Sequence, residues 1–376
     1  MTVEEGRMAA PEATSQARRI WLPRPITRPT LTPLVLRRPV IAVAAIWLFV
    51  IAIRTLSIGG AGIEPVLDAL SVSNPIDALG FAWLGAYGVL SGSPIAAITM
   101  TLFDGDLISR TEAFAMLNGS RFGASFIVLF VGFAAYVLRK REPDGIYIGV
   151  IALLTAFSLN LPVLILGLGL LESGLLDGVQ FDLPALVSIV ETVADPAAHR
   201  IDDALPVGLV FVVGVGMLLT SFQMFDRALP QLEAADERFE RLVVFLHRRW
   251  AMFAVGFLMT AMTLSVSVSL TVLIPLSLKG YVRRDGVVPY VMGANISTWI
   301  DTLVASLLLG NPDAFTIVLA QMIVGLAVSL LILGLLYRPY ESALLGLSRR
   351  IVASRRSLAT FLAIILIVPT ILLVAS

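Results

Sequence analysis

The chain has no cysteine, which excludes disulfides, thiolate metal sites and cysteine nucleophiles. Histidine is nearly as scarce: His199 and His247 sit far apart in polar connections, so a histidine metal centre has no ligand set. Charged residues make up only 14% of the chain, and 27 basic side chains cancel 27 acidic ones, leaving no net charge to gather a nucleic acid. No Ser/His, paired-Asp or metal constellation is present, and no enzymatic activity is expected. What fills the chain instead is hydrocarbon: 57% of the residues are hydrophobic. Apolar runs of about 18 residues or more recur along it, which makes the bilayer its solvent.

The runs predict an all-α polytopic membrane protein with seven crossings near 40–57, 112–138, 146–171, 205–225, 287–310, 315–337 and 358–375. Two further apolar stretches, about 78–103 and 250–278, are interrupted by Gly92, Pro94 and a run of Ser and Thr, and read as re-entrant hairpins. Basic residues support this layout. With a cytoplasmic N-terminus, segments 1–39, 139–145, 226–249, 279–286 and 338–357 hold 23 of the 27. Residues 1–39 carry seven arginines, too long and too basic a stretch for a simple secretory signal. The outer connections are acidic, above all 172–204, and the C-terminus falls outside. The localisation expected is the cytoplasmic (plasma) membrane.

A polar pattern occurs twice. Leu90-Ser91-Gly92-Ser93 is followed by Gly119-Ser120-Arg121-Phe122-Gly123; 174 residues later, Leu264-Ser265-Val266-Ser267 is followed by Gly293-Ala294-Asn295-Ile296-Ser297-Thr298. In both copies 28 residues separate the first Ser from the opening Gly. Each copy would hold one helix, one hairpin and two helices, hence three crossings. An odd number makes the repeats inverted, as in secondary transporters. The organisation expected is a basic tail at 1–39, repeat 1 at 40–171 and an acidic external loop at 172–204. Repeat 2 follows at 205–338, then an amphipathic segment and a final helix over 339–376.

These motifs resemble those of the sodium-dependent phosphate cotransporters, the type II Na/Pi symporter family, of which the chain reads as a divergent prokaryotic member. In that family each inverted repeat carries Gln-Ser-Ser-Ser in a re-entrant hairpin, then Gly-Ala/Ser-Asn-Ile-Gly-Thr at the next helix. The second copy matches at Ser265, Ser267, Pro275-Leu276, Gly293, Ala294, Asn295, Ile296 and Thr298; the first matches at Ser91, Ser93, Gly119, Ser120 and Gly123. Leu90 and Leu264 replace the glutamines, Gly92 and Val266 the middle serines, Arg121 the first Asn, and Ser297 the second Gly.

The resemblance implies sodium-coupled phosphate symport by alternating access. Alternatives are another oxyanion or proton coupling on the same scaffold, or a transport-inactive membrane regulator. The partners implied are inorganic phosphate or a similar anion, sodium as the coupling ion, and the bilayer; no organic cofactor is called for. Ser91, Ser93, Ser265, Ser267 and Arg121 are the candidate anion-binding residues, since hydroxyls and helix N-termini can replace a phosphate's water shell. Ser93 is expected to cap a half-helix starting at Pro94, with the chain turning at Gly92. Asn295, Thr298, Ser269 and Asp301 offer the oxygen ligands a hard cation needs. Arg121 and Asp301 are charged near the middle of their spans, so each is expected to face inward. Arg121 either holds the anion in place of a bound cation or pairs with Asp301. Asn160-Leu-Pro162 marks a kink and Gln321 an interhelical hydrogen bond.

Overall fold

A computed structural model describes residues 33–130, 133, 144–179, 184–228, 248–263, 265–266, 269–270, 273, 282 and 284–374. In hydrocarbon a backbone must satisfy its own polar groups, so an apolar segment has little choice but to coil. Among the described residues every regular element is indeed helical. The helices are α1 Pro33–Ile58, α2 Glu64–Ala69, α3 Pro75–Val89, α4 Ser93–Asp104, α5 Arg110–Ala124, α6 Asp144–Glu172, α7 Pro184–Val193 and α8 Asp195–Ala204. They continue as α9 Val207–Ala228, α10 Arg249–Thr263, α11 Arg284–Ser297, α12 Trp299–Leu309, α13 Pro312–Leu331, α14 Tyr337–Val352 and α15 Arg355–Val374.

Among the described residues seven helices are long and apolar enough to cross a bilayer: Arg38–Ile58, Arg110–Phe130, Gly145–Glu172, Val207–Ala228, Asp285–Leu309, Pro312–Val352 and Arg355–Val374. Their number and places are those the hydropathy predicts, and they make the chain a polytopic integral membrane protein. One boundary differs. The sixth crossing does not stop near 337 but runs through a wide turn at Ile332–Leu336 into α14. Pro339 lacks the N–H that an α-helix needs there, and the π-helical turn just before it takes up the disruption, so the proline is absorbed. The amphipathic segment is thus the end of a 41-residue helix.

Element boundaries recur 174 residues apart. α3 and α10 start and end at positions that differ by this number, α5 and α11 start at such positions, and so do α1 and α9. The contacts repeat with the same offset: Gly119 of α5 lies against the Leu79 carbonyl and the Trp83 amide of α3, and Gly293 of α11 against the Phe253 carbonyl and the Phe257 amide of α10. Both inner spans also carry a one-residue irregularity at nearly matching places, Ser125 and Thr298, where the backbone stays right-handed helical and the amides still bond the Arg121 and Ala294 carbonyls. α1 and α9 pack antiparallel: Gly62 meets Val207, Gly59 meets Phe211, Leu56 meets Gly214, and the Phe49 and Phe222 rings lie edge to face at 5.5 Å.

The long acidic connection carries helices α7 and α8 and is tied down at three points. Arg54 of α1 donates to Asp195 at 2.6 and 3.0 Å, Arg110 of α5 pairs with Asp177 at 2.8 Å, and the Thr316 hydroxyl of α13 donates to the Val179 carbonyl at 3.4 Å. The burial of Asp195 is partial, and the Arg54 guanidinium bonded to it holds its carboxyl below the usual carboxylate range. At the other edge α15 lies on α3, where Gly80 admits the Pro369 carbonyl and the Tyr87 hydroxyl donates to the Ile365 carbonyl at 2.8 Å.

Candidate functional site

α3 and α4 form a helical pair joined by a tight turn, as the hairpin over 78–103 anticipates. The turn is built differently from expectation. The left-handed residue is Leu90, with φ 56°, a conformation that costs an L-residue about 1–2 kcal/mol. Gly92 keeps a negative φ; it is needed because a Cβ there would lie 2.7 Å from the Ser120 carbonyl of α5. Nor does Ser93 cap α4: it is the first helical residue, Gly92 holds the cap position, and no side chain bonds the free amides. Ser93 is itself buried, and its side chain lies close to the Asp301 carboxylate.

Around Ser93 of α4 the structure gathers residues from α5, α12 and the α11–α12 junction. Arg121, near the end of α5, is 2% exposed and crosses to the junction of α11 and α12 at Thr298. Its Nη2 donates to the Thr302 hydroxyl at 3.2 Å and makes a longer contact, 3.5 Å, with the Thr298 carbonyl; its guanidinium carbon lies 4.0 Å from the centre of the Trp299 ring. Thr302 in turn donates to Asp301 Oδ1 at 3.0 Å. Arg121 and Asp301 are thus opposite charges joined through one hydroxyl rather than in direct contact. Two of their atoms, Arg121 Nε and Asp301 Oδ2, are buried without a hydrogen-bond partner. Charged atoms at this depth are costly unless paired, which marks the cluster as a candidate site. Asp301 also lines a cavity of about 390 Å³ whose other walls are apolar, among them Trp47, Phe49, Phe222 and Phe225.

The aromatic neighbours hold the arginine in place. Phe122 stacks within 4.8 Å of Trp83 and 5.1 Å of Phe157, which wedges α5 between α3 and α6. Gln321 of α13 donates to the Phe114 carbonyl at 2.9 Å, the interhelical bond its sequence position predicts. Asn160 donates to the Ala156 carbonyl one turn before Pro162.

The chain matches no protein-family model, no curated protein and no solved structure. Its site is therefore described from its own geometry.

The expected anion and cation residues do not all converge. Ser93, Arg121, Thr298 and Asp301 come together. Ser91 is half-buried at the turn. Ser269 bonds the Tyr290 hydroxyl at 2.8 Å, and the Ser265 carbonyl accepts from Thr263. The Ser269 bond stays within the second copy. Asn295 donates its amide to the Val291 carbonyl of its own helix at 2.8 Å, and Thr298 its hydroxyl to that of Ala294. Ser267, the second arm of the hairpin over 250–278, residues 1–32 of the basic tail and the connection 229–247 lie outside the described residues. Sequence reasoning missed Trp299 and Thr302; their spacing from Asp301 placed them on the same helix turn, but neither belongs to a repeated motif.

Proposed function

We propose that the chain is a secondary active transporter built from two inverted repeats, and that it carries phosphate in symport with sodium by alternating access. One observation carries this reading. Two spans that start 174 residues apart, in segments whose first helices pack antiparallel, meet at a buried cluster in which Arg121 and Asp301 are joined through Thr302. Polar and charged side chains buried at membrane depth between repeats are where transporters bind ions and anions. The phosphate motifs at Ser91–Ser93 and Gly293–Thr298 supply the substrate class. In this reading the re-entrant pair α3/α4 presents Ser93, Arg121 receives the anion at its free Nε, and Asp301 receives the cation.

A second reading, in which another oxyanion or proton coupling replaces sodium-driven phosphate, draws on Asn295 and Thr298. Both donate to carbonyls of their own helix, which leaves their oxygens as neutral acceptors and Asp301 as the charged one, able to take a proton as well as a cation. The permanent charge of Arg121 would then stand for one of the coupling ions.

The test is uptake of labelled phosphate into proteoliposomes with and without an inward sodium gradient, for the native chain and for Ser93→Ala combined with Arg121→Gln. Sodium-driven uptake lost in the variant supports symport. Uptake that ignores sodium but follows a proton gradient favours the second reading. Absence of phosphate uptake under either gradient overturns the phosphate assignment.

A further inference from the structure

We infer that the elbow between α14 and α15 is a binding surface for anionic phospholipid headgroups. Four arginines fall within eight residues there: Arg349 and Arg350 close α14, Arg355 and Arg356 open α15, and only Ile351 to Ser354 separate them. All four are exposed. None makes an ion pair or a side-chain hydrogen bond; the two ion pairs among the described residues lie elsewhere, at Arg54 and Arg110. The elbow is rigid rather than loose. Ser357 Oγ donates to the Arg350 carbonyl at 3.0 Å across the turn, and the Ser354 hydroxyl accepts from the Ser357 amide.

The length of α15 places this cluster at the bilayer surface. Its twenty residues span about 30 Å, the thickness of the hydrocarbon, and everything after Ser357 up to Val374 is apolar apart from Thr360 and Thr370. The two arginines that begin it therefore stand at headgroup depth. Four unneutralised guanidinium groups at that depth fit phosphodiester oxygens, which they can engage in pairs. A headgroup held there would press on the site through a short mechanical path. α15 rests on α3 at Gly80 and Tyr87, and α3 leads into the turn at Leu90–Gly92 that positions Ser93. The inference stands independently of the transport reading, because it rests on charge and depth alone.

The experiment uses the full chain in bilayers of phosphatidylcholine with traces of spin-labelled phosphatidylglycerol or spin-labelled phosphatidylcholine, reading the fraction of each label immobilised by the protein. The native chain is expected to favour phosphatidylglycerol. Arg349→Gln with Arg350→Gln, or Arg355→Gln with Arg356→Gln, should weaken its relative association about thirtyfold at most, at about fivefold for each charge near the surface. Lysine at the same four positions should retain the preference, which separates lost charge from lost fold. Equal association of phosphatidylglycerol with the native chain and the glutamine variants overturns the inference. So does displacement of the label by millimolar inorganic phosphate, which would make this a site for a soluble anion.

Discussion

The helix pairs α3/α5 and α10/α11 share a backbone plan and part company in their side chains. In both, a glycine lets one helix touch the carbonyl and amide of the other at matching positions: Gly119 at Leu79 and Trp83, Gly293 at Phe253 and Phe257. One turn later the first pair continues the approach with Gly123 against the Trp83 carbonyl, whereas the second has Ser297, whose hydroxyl is buried without a partner. Between these positions stand Arg121 and Asn295. Asn295 is satisfied within its own helix; Arg121 is too long and too charged to be, and leaves its pair to reach Thr302 of α12. The shared backbone plan thus carries one charged cluster, at the seam where the first pair meets the α11–α12 junction.

The comparison breaks most severely if the seam loses one charge. Arg121→Leu strands Asp301 in a buried setting, and the expected loss is about 3–5 kcal/mol of unfolding free energy in mild detergent. Asp301→Leu should cost a similar amount. The double variant, with both charges gone, should recover most of the loss, since an apolar replacement of a buried pair is often neutral. A double variant no more stable than Arg121→Leu alone would show that the two charges act independently despite sharing Thr302.

Next come the glycines. Gly119→Ala and Gly293→Ala each drive a methyl into a backbone carbonyl that cannot rotate away, at a cost of about 1–3 kcal/mol. Equal costs in the two copies would mean that both pairs bear the same packing load; a tolerated substitution in one would locate the looser copy. Ser297→Ala is the inverse test. Removing an unpartnered buried hydroxyl should stabilise by about 1 kcal/mol, while Gly123→Ser, which would impose the second copy's residue on the first, should destabilise against Trp83 and Ala86.

A smaller effect separates the outer faces of the two pairs. Gly80 of α3 receives α15, and a Cβ there would lie 2.7 Å from the Pro369 carbonyl. Its counterpart 174 residues on is Ala254, in an exposed row of α10 with Trp250, Leu258 and Met262. Gly80→Leu should therefore loosen α15, seen as faster proteolysis within Arg355–Val374, whereas Ala254→Leu should change stability by no more than about 0.5 kcal/mol.

The spans were legible because hydrocarbon leaves a chain so few choices, and the repeat because Ser91, Ser93 and Gly119 recur as Ser265, Ser267 and Gly293. The glycines of the motif were legible as markers but not in their role: only the structure shows that Gly92 and Gly119 serve close approach, while the left-handed turn falls on Leu90, a residue with no propensity for it. The seam was half legible. Arg121 and Asp301 announce themselves as charges inside spans, but nothing local in the sequence links them to Trp299 or Thr302, since the contact joins residues about 180 apart. Asn295 reads like a ligand because of its motif, but the bond that turns its amide N–H to the Val291 carbonyl one turn back is one no motif records.

The smallest expected effect concerns a tie that exists in the first copy only. Arg54 lies near the end of α1 and holds Asp195 at the start of α8; the position 174 residues after Arg54 is Ala228, which can hold nothing of the kind. The Asp195 carboxyl is held below its ordinary value first by that hydrogen bond, with burial opposing. A depressed carboxylate stabilises above its unfolded pKa, about 3.9, and the contribution fades as pH falls through the lower folded value. Hydrogen exchange of the α8 amides, Asp195–Ala204, should accordingly be insensitive to this pair between about pH 8 and 5 and should quicken only below about pH 4. Asp195→Asn should remove that acid step and loosen α8 at neutral pH by less than about 1 kcal/mol, the range of a partly exposed ion pair. An unchanged acid step in this variant would mean that α8 is fastened by its packing on α1 and not by the charge.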